Sequence, residues 1–191
     1  DDYLKDYEGV LLNEEAISQL VLYDAYKLRQ SPDSIGLFGV VKDEDSGIIH
    51  FSNVPPRNLS VYIQDEGRDV CQAAILLADY LANNDIVPEG LNARYEVCEA
   101  FIGQFESRVN CTFAERMALY IMEIRQLIDF RPSEGNTRLA IPNEVKLLSE
   151  WMIQYQLEAL AKEVDYESAL VSTSRLINNN RLYVYENLQQ K

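Results

Sequence analysis

The sequence predicts an α/β protein built as a mixed sheet with helices on its faces. Three patterns carry that expectation. Two β-rich runs, Leu37 to Lys42 and Ile48 to Asn53, flank a polar turn and read as a hairpin. The stretch GRDVCQAAILLADYLANND repeats apolar residues at Val70, Ala73, Ala74, Leu77, Ala78 and Leu81, the spacing of an amphipathic helix. Helical and strand-like blocks then alternate to the end of the chain.

The first helix is expected over Asn13 to Gln30. Asn13 can cap it, acidic residues fill its first turn, and Lys27 and Arg29 sit near its end. Ile17, Leu20, Val21 and Leu28 give the apolar stripe, which Asp24 interrupts. SPDS breaks the helix. The run Leu37 to Val41 has no polar side chain, so both of its faces should be covered. Pro55-Pro56 stops the second strand, and LSVYIQ is a third. ARYEVCEAFIGQFESRVN reads as a helix, with Val97, Phe101 and Phe105 spaced by four. Met117 to Met122 alternates apolar residues on both faces and reads as a buried strand.

Asp129 to Thr137 holds a Pro, a Gly and several polar residues, which marks a linker. The domain boundary is placed near Gly135, giving domains 1–134 and 135–191. RLAI follows as a short strand. Pro142 suits the first turn of the next helix, whose stripe is Val145, Leu148, Met152, Tyr155 and Ala159. Ile141, just before it, cannot cap through its side chain. Tyr166 to Asn178 reads as a further helix, and RLYVYEN as a central strand with apolar residues on both faces. Asn187 to Lys191 reads as the start of a turn. The order helix, break, strand, turn near the start is echoed near the end.

Composition narrows the function. The 191 residues hold 17 Lys and Arg against 31 Asp and Glu, a net charge of −14. A binder that tracks the nucleic-acid backbone needs a cationic surface, and no basic run is present. An anionic membrane surface is disfavoured for the same reason. No apolar run reaches the roughly 20 residues of a membrane span, and no signal peptide is visible. An amine would be drawn in by the charge. Cys71, Cys98 and Cys111 form no C-x-x-C pair, and with a single His a zinc site is not expected. They read as reduced cytosolic thiols packed as small hydrophobes.

His50 has the side chain of a general base, but no partner is evident in sequence, and ordinary packing or exposure is the expectation. Asp43, Glu44 and Asp45 fail the calcium-loop pattern, since Gly47 and Val54 stand where ligands belong. They are expected to form a solvated turn. No G-x-S-x-G, H-E-x-x-H or Walker loop occurs.

LFGVVKDEDSGIIHFSNVPPRNLSVYI, ERMALYIME, TRLAIPNEVKLLSEWMIQYQLEAL and RLYVYEN together resemble the front part of a bacterial GNAT acetyltransferase family. Its members carry a divergent N-terminal domain ahead of the catalytic one. The elements Pro55, Pro56, Asn58, Leu59 and Arg138, Leu139, Ala140, Trp151, Glu158, Ala159 carry the resemblance. It implies a GNAT-like sheet, acetyl-CoA as cosubstrate, a small-molecule or peptide amine as acceptor, and a cytoplasmic enzyme, with a homodimer as a candidate assembly.

In that family the coenzyme pyrophosphate sits on backbone amides of an [RQ]-x-x-G-x-[GA] loop at a helix N-terminus, where unpaired N–H groups and the dipole attract anions. None of the eight glycines is paired at G-x-G spacing. The coenzyme site is therefore expected beyond these residues, with the second domain incomplete. The acceptor surface is expected at Trp151, Tyr155 and Glu158 on the helix after RLAIP, and at Tyr183 and Tyr185 on the last strand. The alternative expectation is packing for the aromatics and solvation for Glu158. The competing function is a non-catalytic recognition or dimerisation module.

Overall fold

The computed structural model describes residues 2–31, 35–44, 46–126, 134–160 and 162–187. The chain divides into two compact units, Asp1–Arg125 and Gln126–Lys191. Gly135 is the first residue of a strand in the second unit. Most of the SPDS break, Asp45 of the acidic turn, the first part of the linker and residues 188–191 lie outside the described residues.

The first unit is a mixed four-stranded sheet between two helical layers. Its helices are α1 (Asp2–Asn13), α2 (Glu15–Arg29), α3 (Val70–Asn83) and α4 (Tyr95–Arg108). Its strands are β1 (Leu37–Asp43), β2 (Ser46–Asn53), β3 (Leu59–Ile63) and β4 (Leu91–Asn92), in that spatial order. β1 and β2 form the expected antiparallel hairpin, β3 is antiparallel to β2, and β4 is parallel to β3 across the α3 crossover.

Alternation along β2 and β3 explains the layers. Ile49, Phe51, Leu59 and Ile63 face Ala74, Leu77 and Leu81 of α3 and Val97, Phe101 and Phe105 of α4. The intervening residues face the other way: Tyr62 joins Leu4, Leu11, Val21, Leu22 and Ala25 of α1 and α2. β1 contributes Leu37 and Val41 to one layer and Phe38 to the other, so both of its faces are covered, though it lies at the sheet edge and is only half-buried.

Four expectations for this unit are corrected. Asn13 ends α1 rather than capping α2. α2 begins after Glu14 without a side-chain cap. α2 buries Ser18, Val21, Leu22, Asp24 and Ala25, one position round from the expected stripe, and leaves Ile17 and Leu20 half in water. The extra helix α1, whose Tyr3, Leu4, Tyr7 and Leu11 recur at helical spacing, sets that rotation by packing beside it. Residues 111–126 carry no regular structure, and the expected strand at Met117 to Met122 is exposed, Tyr120 at 88%. Apolar residues on both alternations give that segment no face to bury against one layer. Cys71 is exposed, whereas Cys98 and Cys111 are partly buried, and all three are free thiols.

The second unit places β5 (Gly135–Leu139), a 3-10 turn (Pro142–Glu144), α5 (Val145–Leu160), α6 (Tyr166–Asn178) and β6 (Tyr183–Asn187) in chain order. β5 and β6 pair antiparallel, with Arg138 opposite Val184. Glu144 does the capping that Ile141 cannot: its Oε2 accepts from the Ile141 N–H at 2.9 Å. Arg138 grips both Glu144 oxygens at 2.9 and 2.6 Å and reaches Glu186 of β6 at 2.6 Å, tying strand, turn and strand together. These two charge-assisted bonds hold the Glu144 carboxyl down at about 2.

The core of this unit is small: Ala140, Leu148 and Ile177, with Val145, Leu182 and Val184 against them. The expected second neighbour of β6 is not found among the described residues. Among the described residues it pairs only with β5, and most of its length is exposed. No helix among the described residues is long and apolar enough to cross a membrane.

Candidate functional site

Trp151 and Tyr155 lie one turn apart on α5 and are 55% and 58% exposed. Glu158 follows in the last turn, also exposed. Tyr183 and Tyr185 occupy alternate positions of β6, so they share one face of the ribbon, at 62% and 50% exposure. Among the described residues these aromatics are not buried, neither Trp151 and Tyr155 against the sheet nor Tyr183 and Tyr185 under a helix. Both sets present apolar surface to solvent, as do Leu147, Leu157 and Val171 nearby in sequence.

The first unit contains a polar cluster whose members are far apart in sequence. Asp24 projects from α2 against β2 and is only 4% exposed. Its two oxygens are both engaged. Ser52 donates to Oδ2 at 2.7 Å, and Arg57 Nη1 sits 2.7 Å from Oδ1. Burial pushes the Asp24 carboxyl up, while the Ser52 hydrogen bond and the Arg57 charge pull it back. The Arg57 guanidinium also lies 5.3 Å above the Tyr23 ring. A cavity of about 340 Å³ opens here, lined by Tyr23, Asp24, Arg57, Asn58, Ser60 and Asn92 among others. Arg57 and Asn58 come from the turn after the cis Pro55–Pro56 bond. The signal in sequence was Asp24, a carboxylate inside an apolar stripe.

His50 is fully buried on the α1 side of β2. Gln64 Oε1, an acceptor, lies 2.5 Å from Nε2, so Nε2 carries the proton and Nδ1 accepts from the Tyr3 hydroxyl at 2.9 Å. Tyr7 and Tyr62 close around the ring, and Lys42 lies over Tyr7. The Tyr62 hydroxyl donates to Glu14, and burial with that bond pushes it up to about 12. His50 thus has two hydrogen-bond partners and acts as a polar rivet between α1 and the sheet.

Burial, and secondarily Lys42, depresses its pKa against the opposing Gln64 bond. The unfolded chain then binds the proton more readily. Stability from neutral His50 is present above its ordinary value of about 6.5 and is lost as pH falls through the lowered folded value. Thermal unfolding from about pH 7.5 to about pH 5.5 should lower the midpoint more in the wild type than in His50→Gln. Equal slopes would show that the ring does not report on pH.

The junction between β3 and α3 reads Gln64, Asp65, Glu66, Gly67, Arg68, Asp69. Asp69 caps α3, accepting from the Gln72 N–H at 2.8 Å. The Gly67 N–H goes to Asp65 Oδ1 at 2.9 Å. Arg68 pairs with Asp43 and Asp65. The anion-attracting end of this helix is thus already occupied by the chain's own carboxylates. Gln64 and Gly67 fit the spacing of the coenzyme loop, but Asp69 stands where its second small residue belongs. Among the described residues no cluster of His, Cys, Asp and Glu could hold a metal ion.

No protein-family model, curated protein or solved structure matches the chain.

Proposed function

We propose that this chain forms part of a bacterial cytoplasmic N-acetyltransferase of the GNAT superfamily. The second unit would supply the opening strand, the helices and the second strand of the catalytic domain. The first unit would be a divergent, non-catalytic GNAT-like module. The observation that carries the reading is the order β5, α5, α6, β6 with β5 and β6 antiparallel. That is the order the resemblance calls for, and the first unit repeats its helix–helix–strand part in α1, α2 and β1. The open ribbon supports it too: two strands are rarely stable alone, and exposed tyrosines on β6 suit a sheet that continues.

The first unit is assigned no coenzyme because Asp65 and Asp69 already take up the Gly67 and Gln72 amides at the one junction that approaches the loop pattern. In the reaction a neutral amine attacks the thioester carbonyl carbon of acetyl-CoA. The C–N bond forms, the C–S bond breaks, and the amine proton leaves to a base or water while the thiolate departs. Trp151, Tyr155, Tyr183 and Tyr185 would offer aromatic faces to the arriving amine, and Glu158 a carboxylate. These groups position; the coenzyme seat would lie outside the 191 residues.

Isothermal titration of acetyl-CoA into the intact parent protein should show saturable binding. The 191-residue chain alone should show none. A folded parent that does not bind acetyl-CoA would overturn the reading. The exposed aromatic surface of α5 and β6 equally suits a recognition or dimerisation module. A stable dimer of the 191-residue chain by sedimentation, together with a parent that does not bind acetyl-CoA, would favour that second reading.

A further inference from the structure

We propose that the cavity beside the Pro55–Leu59 turn is a binding site for a free α-amino acid, with Arg57 holding its carboxylate. The inference is independent of the acetyltransferase reading and concerns the first unit alone.

The cavity is lined by polar side chains that are built into the fold. Asp24 and Ser60 are buried, and Ser52 behind them is fully buried. Asp24 has both oxygens engaged, by Ser52 and Arg57, so it neutralises and aims the guanidinium rather than receiving a ligand. The Tyr23 ring supports the guanidinium face. Arg57 is thereby fixed in direction with Nη1 on Asp24. Among the described residues no protein acceptor takes its Nε and Nη2 edge. That edge is the planar fork that matches a carboxylate.

A second polar pair stands on the rim. Asn58 Nδ2 donates to Asn92 Oδ1 at 3.1 Å, leaving Asn58 Oδ1 as an acceptor. A Cβ at Gly90 would come within 2.7 Å of that oxygen, so glycine at 90 is what lets Asn58 occupy its place. A carboxylate anchor and a neighbouring acceptor are the complement of an α-amino acid.

Size and charge select among carboxylates. The volume of about 340 Å³ is near the lower limit of ligand clefts, which run from about 300 to 1,000 Å³, and suits a molecule much smaller than a coenzyme. Asp24 already balances Arg57. A molecule that brings its own ammonium adds no net charge to a chain at −14, whereas a dicarboxylate would be repelled.

The test is a titration of the ¹⁵N-labelled 191-residue chain with L-alanine, acetate and methylammonium, read at the Arg57 Nε–H and Asn58 Nδ2 resonances. L-Alanine should move both saturably at millimolar concentrations. Acetate should bind more weakly, and methylammonium should move neither. Arg57→Lys keeps a cation beside Asp24 but loses the fork, and should weaken L-alanine binding about tenfold or more. The proposal is overturned if L-alanine gives no saturable shift, if acetate or methylammonium matches it, or if Arg57→Lys binds it like the wild type.

Discussion

Phe101→Ala should lower the stability of the first unit by about 3–5 kcal/mol, read as a shift of the urea midpoint followed by circular dichroism. Phe101 is fully buried, stacked on Phe105 with ring centroids 5.3 Å apart, and meets the edge of Phe113 at 6.3 Å. The substitution removes a large apolar surface and leaves a space that α3, α4 and the sheet cannot all close. The loss should exceed the transfer cost of the ring alone, because Phe105 and Phe113 each lose one of two aromatic partners and keep only their edge contact with each other at 6.1 Å. Phe101→Leu, which keeps most of the volume, should cost less. A cost under about 1 kcal/mol for the alanine variant would show that this side of the sheet is loosely packed.

Arg57→Ala should cost about 2–3 kcal/mol. The reason is the carboxylate left behind rather than the bond removed. Breaking a fully buried pair costs about 3–5 kcal/mol, and the Arg57 side chain, 37% exposed, brings the figure down. Burial already raises the Asp24 carboxyl, and Arg57 is one of the two groups that lower it. Without Arg57 the native state holds its proton to higher pH than the unfolded chain does. Stability of the variant should then rise as pH falls and drop as pH climbs through the folded value. Asp24→Asn in the same chain removes the stranded charge and should restore most of the loss, a coupling that a double-mutant cycle measures directly. If the double variant is no better than Arg57→Ala, the cost comes from the packing of Arg57 on Tyr23.

Much of the fold could be read from local pattern, and the failures have physical causes. The hairpin, α3, α4 and α6 were legible because their apolar spacing matches one period and their breakers are strong. α1 was hidden by its acidic composition, yet Leu4 and Leu11 are buried by α2, a partner that no local window contains. Met117 to Met122 has the composition of a buried strand, and the sheet offers it no pairing position among the described residues. Apolar character alone points Ile17 and Leu20 inward. The packing of α1 beside α2 turned Ser18 and Asp24 inward instead.

The two candidate sites differ in the same way. Trp151 and Tyr155 share a helix face and Tyr183 and Tyr185 a strand face, which spacing shows, while the acceptor role of these residues and of Glu158 came only from the family resemblance. Asp24, Ser52, Arg57 and Asn92 come from α2, β2, a turn and β4, and only the fold brings them together. Asp24 within an apolar stripe is visible as an interruption, and Asn58 only as part of the P-P-x-N-L element. That they meet across β2 and β3 is information held in strand register.

The ribbon of β5 and β6 carries a consequence for handling the protein. Its tyrosines and the aromatic side of α5 meet water, and among the described residues no third strand joins the ribbon. A net charge of −14 opposes the association of copies through such surfaces. Salt shortens the reach of that repulsion and strengthens apolar contact at once. Colloidal behaviour should therefore worsen with ionic strength, and dilute buffers above the isoelectric point are the conditions that keep it dispersed.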